Sequence, residues 1–369
     1  MTLTNQRYLN SNTSPRISVS LLAPAYNEAA IIEKSVSIIY AYMEGLEERF
    51  DWELVIVNDG SSDNTGALAD ALAAERTNMR VFHHKINRNL GGALQTGFRN
   101  CSGQYIVVLD IDLSYAPEHI ERLLIEAIET DADIVVASPY MKGGKNTNVP
   151  RKRLIMSKVV NRFMRWASPV DIHTYTGMVR AYKREFLQGL NLKSMTYSIN
   201  PEIINKATLL RGRIREIPAH LDWSFQEQAT GRTSSIRVLS GIFAGLMNSF
   251  IFRPYAFFMS IGAILLVISL YIIAWIFIHT FGVYLDFSGD AINFEKTFSL
   301  SVAEVFKERP YSFLLGGITL IMALQFLSLG FLSLQNKRYF DELFHLGSSL
   351  LKDARVDQKS KEMTNNSNL

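Results

Sequence analysis

Residues 105–114 read Tyr-Ile-Val-Val-Leu-Asp-Ile-Asp-Leu-Ser, an apolar run that ends in two aspartates separated by one residue, Asp110 and Asp112. The run is rich in β-branched side chains, which predicts a buried strand over residues 105–109. Carboxylates that follow such a strand are hard oxygen ligands of the kind that hold Mg²⁺ or Mn²⁺ against a diphosphate. An Asp-x-Asp pair alone is also typical of solvated loop acids, so its meaning depends on the surrounding sequence.

Short β-rich runs and helical patterns alternate on both sides of this stretch. The alternation predicts an α/β domain with a mostly parallel sheet and helices on both faces. Ligands of such sheets bind beyond the carboxyl ends of the strands, so strand-terminal residues are the candidate site. The predicted strands are 17–22, 54–57, 80–83, 105–109 and 133–137, and the predicted helices are 28–49, 63–76, 90–101 and 117–129.

Composition excludes several classes of protein. The chain has 369 residues, which is enough for about two domains. Its 38 basic and 35 acidic side chains are too evenly balanced for a protein that binds nucleic acid through bulk charge. A single cysteine, Cys101, excludes an internal disulfide framework and a cysteine-ligated metal site. The G-x-G-x-x-G turn and the P-loop are also missing from the predicted strand ends, so neither a dinucleotide fold nor a P-loop fold is indicated.

Two long uncharged stretches lie in the last third of the chain. Residues 254–285 and 310–336 contain no Asp, Glu, Lys or Arg, and each exceeds the roughly 20 apolar residues that span a bilayer. We predict two transmembrane helices at about 254–281 and 310–336, with a buried hairpin of a soluble domain as the alternative. Arg253, Lys337 and Arg338 flank these spans, whereas acids predominate between them. The positive-inside rule therefore places both termini in the cytoplasm.

These patterns divide the chain into five predicted segments. A flexible polar N-terminus covers 1–16 and lacks the apolar core of a secretory signal. A cytoplasmic α/β domain covers 17–234, and 235–252 form a juxtamembrane helix that lies in the interface or continues into the first span. The two spans and a non-cytoplasmic loop occupy 253–338. A cytoplasmic tail covers 339–369, and we expect residues 353–369 to be disordered.

The strand-end motifs resemble those of family 2 glycosyltransferases with the GT-A fold, especially the dolichyl- or polyprenyl-phosphate sugar synthases. The similarity covers about residues 17–238 and includes Pro-Ala-Tyr-Asn-Glu at 24–28, the acidic turn after Asn58, and the glycine-bearing loop 89–93. The resemblance implies that the first two segments hold the base and ribose of a nucleotide sugar and that the loop 89–93 lies near this donor. The donor-binding residues that it implies are Pro24, Ala25, Tyr26, Glu28, Asp59 and Gly91.

The same resemblance covers the acid pair. The family pattern Asp-x-Asp-Leu-x-x-x-Pro is met by Asp110, Asp112, Leu113 and Pro117. It implies that Asp112 binds Mg²⁺ or Mn²⁺ with Asp110 beside it, and that both residues serve catalysis. Several synthases carry Gln where this chain has Ser114, a shorter and weaker candidate for the third ligand.

Candidate acceptor contacts follow the acid pair. Ser-Pro-Tyr at 138–140 resembles the acceptor loop of the family, with Pro139 in place of an expected Arg, and it makes Tyr140 a candidate. The run 151–166 contains six basic residues and no acid, and we place Lys158, Arg162 and Arg165 on one helical face, opposite Ile155, Val159 and Phe163. Such a face can hold a lipid phosphate or anionic head groups, or be an ordinary solvated face. The phosphate-binding candidates are Tyr140, Arg151, Arg153, Lys158 and Arg162, together with Arg180 and Arg232, which match family segments.

The resemblance implies inverting transfer of a hexose from a UDP- or GDP-sugar to a polyprenyl phosphate at the cytoplasmic face of a membrane. The expected partners are the nucleotide sugar, the lipid acceptor and the membrane, with no nucleic acid and with a possible second copy of the chain. One alternative is a processive polysaccharide synthase, whose Gln-x-x-Arg-Trp motif Arg165-Trp166 imitates only in part. Another is a membrane scaffold without catalytic activity.

Overall fold

The computed structural model describes residues 16–168, 170–224, 254–287 and 293–366. The chain divides into two compact units, Met1–Ser249 and Phe250–Leu369. Seven strands of the first unit form one sheet in the order β3-β2-β1-β4-β7-β5-β8. The strands of this sheet are β1 (Ile17–Ala25), β2 (Phe50–Asn58), β3 (Met79–His83), β4 (Tyr105–Val108), β5 (Ile134–Ser138), β7 (Arg180–Lys183) and β8 (Ile214–Pro218).

Only β7 runs against the other strands of this sheet. It is inserted between β4 and β5 and is antiparallel to both, whereas β1, β2, β3 and β4 pair in parallel, as do β5 and β8. A second, two-stranded sheet pairs β6 (Lys145–Thr147) with β9 (His220–Asp222) in parallel. The prediction of a mostly parallel sheet is confirmed, and each of the five predicted strands is present.

Helices cover both faces of the large sheet because the strand side chains alternate between two apolar cores. Val19 and Leu21 of β1 belong to one core, and Leu22 belongs to the other. The first core is covered by α1 (Ile32–Glu44), α2 (Thr65–Ala74) and α4 (Glu118–Glu129). The second core is covered by α3 (Asn89–Asn100), α5 (Arg151–Ala167), α6 (Arg184–Gln188) and α7 (Ile199–Leu209).

The second unit contains α8 (Pro254–Phe287), α9 (Phe294–Glu308) and α10 (Pro310–Asn366). Both α8 and the segment Pro310–Phe340 are long and apolar enough to cross a membrane, with mean hydropathies of 2.8 and 1.9. Only 11% and 17% of their most apolar windows are buried, which is far below what a core hairpin of a soluble domain requires. The two helices pack together where the Ser269 hydroxyl donates to the Gly316 carbonyl over 3.1 Å.

The tail is more ordered than the sequence suggested. The backbone of α10 continues as a helix to Asn366, so the prediction of disorder from residue 353 is wrong as far as Asn366. Residues 337–366 contain no proline and many good helix formers, so nothing in this sequence ends the helix begun in the apolar segment. The predicted N-terminal segment (apart from Arg16), the juxtamembrane helix 235–252 and the candidate Arg232 lie outside the described residues.

Candidate active site

The loops after β1 and β2 lie side by side at the carboxyl edge of the sheet. Ala25 pairs with Asn58 at the ends of these strands, and the Asp59 amide donates to the Ala25 carbonyl over 2.9 Å. Asn27, with a φ of 56°, accepts hydrogen bonds from the backbone and the hydroxyl of Ser62. Pro24, Ala25, Tyr26 and Glu28 are thus held beside the acidic turn, and their contact with the donor stays a prediction.

Asp59 is anchored by His84, a residue outside the motifs that predict the site. Its carboxylate is 2.6 Å from Nδ1 of His84, and each of these side chains is only 5% exposed. Because an ionised carboxylate only accepts hydrogen bonds, Nδ1 of His84 is the donor, and Nε2 is 2.9 Å from the Thr96 hydroxyl. The same Asp59 oxygen accepts the Arg88 amide over 2.8 Å. These bonds tie the β2 edge to the loop that enters α3.

The acid pair follows β4 at the same edge of the sheet. The Leu109 amide donates to the Leu22 carbonyl over 2.9 Å, which aligns Asp110 with the end of β1. Burial, followed by repulsion from Asp112 and Glu28, raises the pKa of Asp110 well above its ordinary value, against the opposing charge of Arg153. A carboxylate in this position is short of positive charge, which is the electrostatic condition that favours cation binding.

Ser114, the predicted third ligand, holds the Asp112 carboxylate in place. The Ser114 amide donates to Asp112 Oδ1 over 2.9 Å, and the Ser114 hydroxyl donates to the same atom. Leu113 between them has a φ of 51°, an uncommon conformation for a residue with a branched side chain. Ser114 therefore orients Asp112, and its direct contact with a metal stays a prediction.

The carboxylate oxygens of this loop are suitable ligands for Mg²⁺ or Mn²⁺. Within the described ranges, no three His, Cys, Asp or Glu side chains gather as a complete metal site. A pair of carboxylates is nevertheless the usual protein contribution to a Mg²⁺ site whose other ligands are substrate phosphates and water. Asp110 and Asp112 supply such a pair, and a bound cation would relieve the repulsion that, together with burial, raises the pKa of Asp110.

Arg153 is the basic residue of α5 that lies beside the acid pair. Its charge lowers the pKa of Asp110, and its guanidinium lies over the ring of Trp223, the residue after β9. The Tyr140 hydroxyl, which donates to Ser157 over 2.7 Å, belongs to the same surroundings, because it interacts electrostatically with Arg153. Trp223 was not predicted, since its position depends on the pairing of β6 with β9, strands that lie more than 70 residues apart.

The other basic residues of α5 face away from the acid pair. The buried side of the helix is formed by Val160, Asn161 and Met164. Ile155 and Val159 are 62% and 60% exposed, so the prediction that these two lie opposite the exposed basic face is wrong. The physical reason is that a helix turns by about 100° per residue, so Ile155 and Val159 lie within about 100° of Lys158 and Arg162 and share their exposed side. Arg151, Lys158 and Arg162 are exposed, and Arg165 pairs with Asp171.

The structure corrects the prediction for Arg180. Its side chain is fully buried, and its two terminal nitrogens donate to the carbonyls of Asn200 and Tyr175 over 3.0 and 2.7 Å. It begins β7 opposite Val108, and the insertion of this antiparallel strand into the middle of the sheet covers it. Arg180 therefore ties β7 to the start of α7 and does not present a phosphate-binding surface.

Gly91 lies against the backbone of Ser194 and Met195 of the same chain, where a side chain would not fit. A Cβ atom at this position would lie 2.3 Å from the Ser194 carbonyl oxygen, and the next amide, that of Gly92, donates to the Met195 carbonyl over 3.1 Å. The absence of a side chain is thus explained by the packing of the loop 193–195 on α3. A contact of Gly91 with the donor stays a prediction.

Glu202 organises that loop from α7. Its two carboxylate oxygens accept the amides of Lys193 and Ser194 over 2.9 and 2.8 Å, and it forms an ion pair with Lys206 at 2.6 Å. Burial alone would raise the pKa of Glu202, but these hydrogen bonds lower it below its ordinary value. A carboxylate held ionised by three donors is a weak proton acceptor, so Glu202 is not suited to act as a general base.

The chain is similar in sequence to known proteins. The family model described as "Glycosyl transferase family 2" matches residues 20–190. Polyprenol monophosphomannose synthase of Mycolicibacterium smegmatis is 35% identical over 47% of this chain and 65% of its own length. Dolichol-phosphate mannosyltransferase of Pyrococcus furiosus is 33% identical over 55% of this chain and 56% of its own. Undecaprenyl-phosphate mannosyltransferase of Micrococcus luteus is 32% identical over 54% of this chain and 82% of its own.

The chain belongs to glycosyl transferase family 2. The predicted family and fold class are therefore confirmed, and the three relatives are named as a polyprenol monophosphomannose synthase, a dolichol-phosphate mannosyltransferase and an undecaprenyl-phosphate mannosyltransferase. The chain spans 65% and 56% of the length of the first two of these relatives.

Proposed function

We propose that this protein transfers a hexose from a UDP- or GDP-sugar to a polyprenyl phosphate, with inversion at the anomeric carbon, at the cytoplasmic face of a membrane. The observation that carries this proposal is the pair Asp110 and Asp112 at the carboxyl edge of a family 2 domain, with the cation of Arg153 beside it. The names of the relatives support the class of acceptor.

The donor binds over the carboxyl ends of β1, β2 and β4. Tyr26 and Glu28 lie on the β1 loop and Asp59 begins the β2 loop, where His84 fixes the Asp59 carboxylate for contact with the nucleoside. Asp110 and Asp112 would hold Mg²⁺ or Mn²⁺. When bound, that cation would neutralise the diphosphate of the donor and so favour its departure.

The acceptor phosphate is itself the nucleophile. One of its oxygens forms a bond to the anomeric carbon while the bond from that carbon to the diphosphate oxygen breaks, and the electron pair leaves with the nucleoside diphosphate. A phosphate anion needs no base to remove a proton at neutral pH. The reaction therefore does not require Glu202, whose carboxylate accepts hydrogen bonds from the amides of Lys193 and Ser194. Arg153 and Tyr140 position the phosphate, because Arg153 combines positive charge with a fixed orientation over Trp223.

The two long apolar helices support the proposed place of the reaction. They are long enough to hold the chain in a bilayer, where a polyprenyl phosphate presents its head group at the surface. Cytoplasmic termini agree with the basic residues Arg253, Lys337 and Arg338 at the ends of the spans.

A transfer assay tests this proposal. Membranes that contain the full chain would be incubated with a polyprenyl phosphate and with each of several radiolabelled UDP- and GDP-hexoses, and the label in the organic phase would be counted. We expect one donor to label the lipid, and Asp112→Asn to lower the rate at least about 100-fold. Asp51→Asn, which changes an exposed acid at the opposite end of β2, is the matched control. Wild-type transfer by Asp112→Asn would overturn the proposal.

A further inference from the structure

Asp59 has one carboxylate oxygen that is saturated and one that is open. Oδ1 accepts hydrogen bonds from Nδ1 of His84 over 2.6 Å and from the Arg88 amide over 2.8 Å. A carboxylate oxygen has two lone pairs, so these two donors use both. Within the described residues, Oδ2 accepts no hydrogen bond, and it is not among the enclosed polar atoms that lack a partner, so a ligand can reach it.

The neighbouring side-chain acceptors in the loops after β1 and β2 are already engaged. The side-chain oxygens of Asn27, Asn58 and Asp63 accept hydrogen bonds from nearby backbone amides. Glu28, the remaining acid of the β1 loop, repels Asp110 and so lies toward the acid pair. Asp59 Oδ2 is therefore the carboxylate oxygen that these two loops offer to a nucleobase.

We infer that this single open oxygen selects a uridine donor. The inference rests on the proposed function, in which Asp59 contacts the nucleoside. Uracil presents one ring N–H, at N3, between two carbonyl groups, which matches one acceptor oxygen. Guanine presents its N1–H beside an exocyclic amino group, and this pair of donors needs two acceptors side by side. With Oδ1 saturated, a bound guanine would leave its amino group without a partner, which lowers affinity. The substrate class is thus a UDP-hexose.

His84 is the positioning residue of this selection. Its side chain is only 5% exposed, and its Nε2 lies 2.9 Å from the Thr96 hydroxyl of α3, so the ring is held between Thr96 and Asp59. Loss of the ring would return a lone pair to Oδ1 and let Asp59 offer both oxygens to guanine. His84 therefore acts through Asp59 and not by contact with the reacting atoms.

Calorimetric titration of the purified full chain with nucleoside diphosphates in Mn²⁺ tests the inference, because these ligands report on the base without the hexose. Two ligand pairs isolate the edge of the base, since 3-methyl-UDP lacks the N3–H of UDP and inosine diphosphate lacks the amino group of GDP. We expect UDP to bind at least about tenfold more tightly than GDP or 3-methyl-UDP, and inosine diphosphate about fivefold more tightly than GDP. His84→Leu should lower the preference for UDP over GDP at least about threefold, whereas Thr96→Val, which leaves His84 and Asp59 in place, should retain it.

Equal or tighter binding of GDP overturns the selection of uridine and leaves the proposed function standing. Equal binding of UDP and 3-methyl-UDP has the same meaning, because Oδ2 then does not recognise the N3–H. These comparisons use the wild type, so they hold even where His84→Leu fails to fold. An unchanged preference in a folded His84→Leu overturns the positioning role of His84. Absence of binding by all four nucleotides in Mn²⁺ overturns the proposed function itself.

Discussion

The guanidinium carbon of Arg153 lies 4.1 Å from the ring centroid of Trp223. These residues are 70 positions apart, one in the first turn of α5 and the other directly after β9. The Asp222 amide also donates to the Ser114 carbonyl over 2.9 Å, so the segment that carries Trp223 is bonded to the acidic loop. The ring therefore holds the Arg153 guanidinium next to the two carboxylates that would hold the metal ion.

Trp223→Ala should weaken acceptor binding by removing the surface that orients Arg153. A cation–π contact contributes about 1 kcal/mol, so we expect the KM for polyprenyl phosphate to rise roughly fivefold while kcat changes less. Acceptor titrations in the transfer assay measure both constants. Trp223→Phe keeps an aromatic ring and is expected to recover most of the loss. An unchanged KM in Trp223→Ala would show that the stacking has no part in acceptor binding.

Asp110→Asn should stabilise the protein when divalent metal is removed. Without a cation the two carboxylates repel each other, and losing one charge removes about 1 kcal/mol of destabilisation, which corresponds to roughly 2–4 °C in Tm. Added Mn²⁺ should raise the Tm of the wild type but not that of the variant. Thermal unfolding in EDTA and in Mn²⁺ makes the comparison, with Asp51→Asn as control. Equal stabilisation of wild type and Asp110→Asn by Mn²⁺ would contradict the assignment of this metal site.

Arg180→Met separates a structural role from a phosphate contact. Removing a fully buried guanidinium that donates to two carbonyls should cost about 3 kcal/mol and lower the Tm by roughly 6–12 °C. Arg99→Met removes an exposed cation from α3 and should leave the Tm within about 2 °C of the wild type. A wild-type Tm in Arg180→Met together with a raised KM for a phosphate substrate would restore the prediction made from the sequence.

Glu202→Gln should make stability less sensitive to acid. Because the folded pKa of Glu202 is lowered, its contribution is present above the ordinary glutamate pKa of 4.5 and is lost as pH falls through the folded value. We expect the variant to be about 2 kcal/mol less stable at pH 7, with a smaller difference at pH 4 and below. Melting curves across this range measure it, with exposed Glu185→Gln as control. A difference that stays constant with pH would rule out the proposed charge interactions of Glu202.

The parts of the fold that could be predicted from the sequence are those fixed by local patterns. The acid pair, the strand ends and a mostly parallel sheet follow from apolar runs and their alternation with helical patterns. The position of β7 does not, because this antiparallel strand enters the sheet between β4 and β5 through long-range pairing, and that insertion buries Arg180. His84 and Trp223 were missed for the same reason, since their partners Asp59 and Arg153 are distant in sequence.

Metal-dependent donor binding tests the central claim most directly. The purified full chain would be titrated calorimetrically with UDP- and GDP-hexoses in Mn²⁺ or Mg²⁺, in EDTA, and as Asp112→Asn. We expect one nucleotide sugar to bind the wild type only when the divalent metal is present, and Asp112→Asn to bind at least about tenfold more weakly. Equal affinity in EDTA, or an unchanged affinity in Asp112→Asn, would contradict the claim that the acid pair after β4 holds the cation that binds the donor diphosphate.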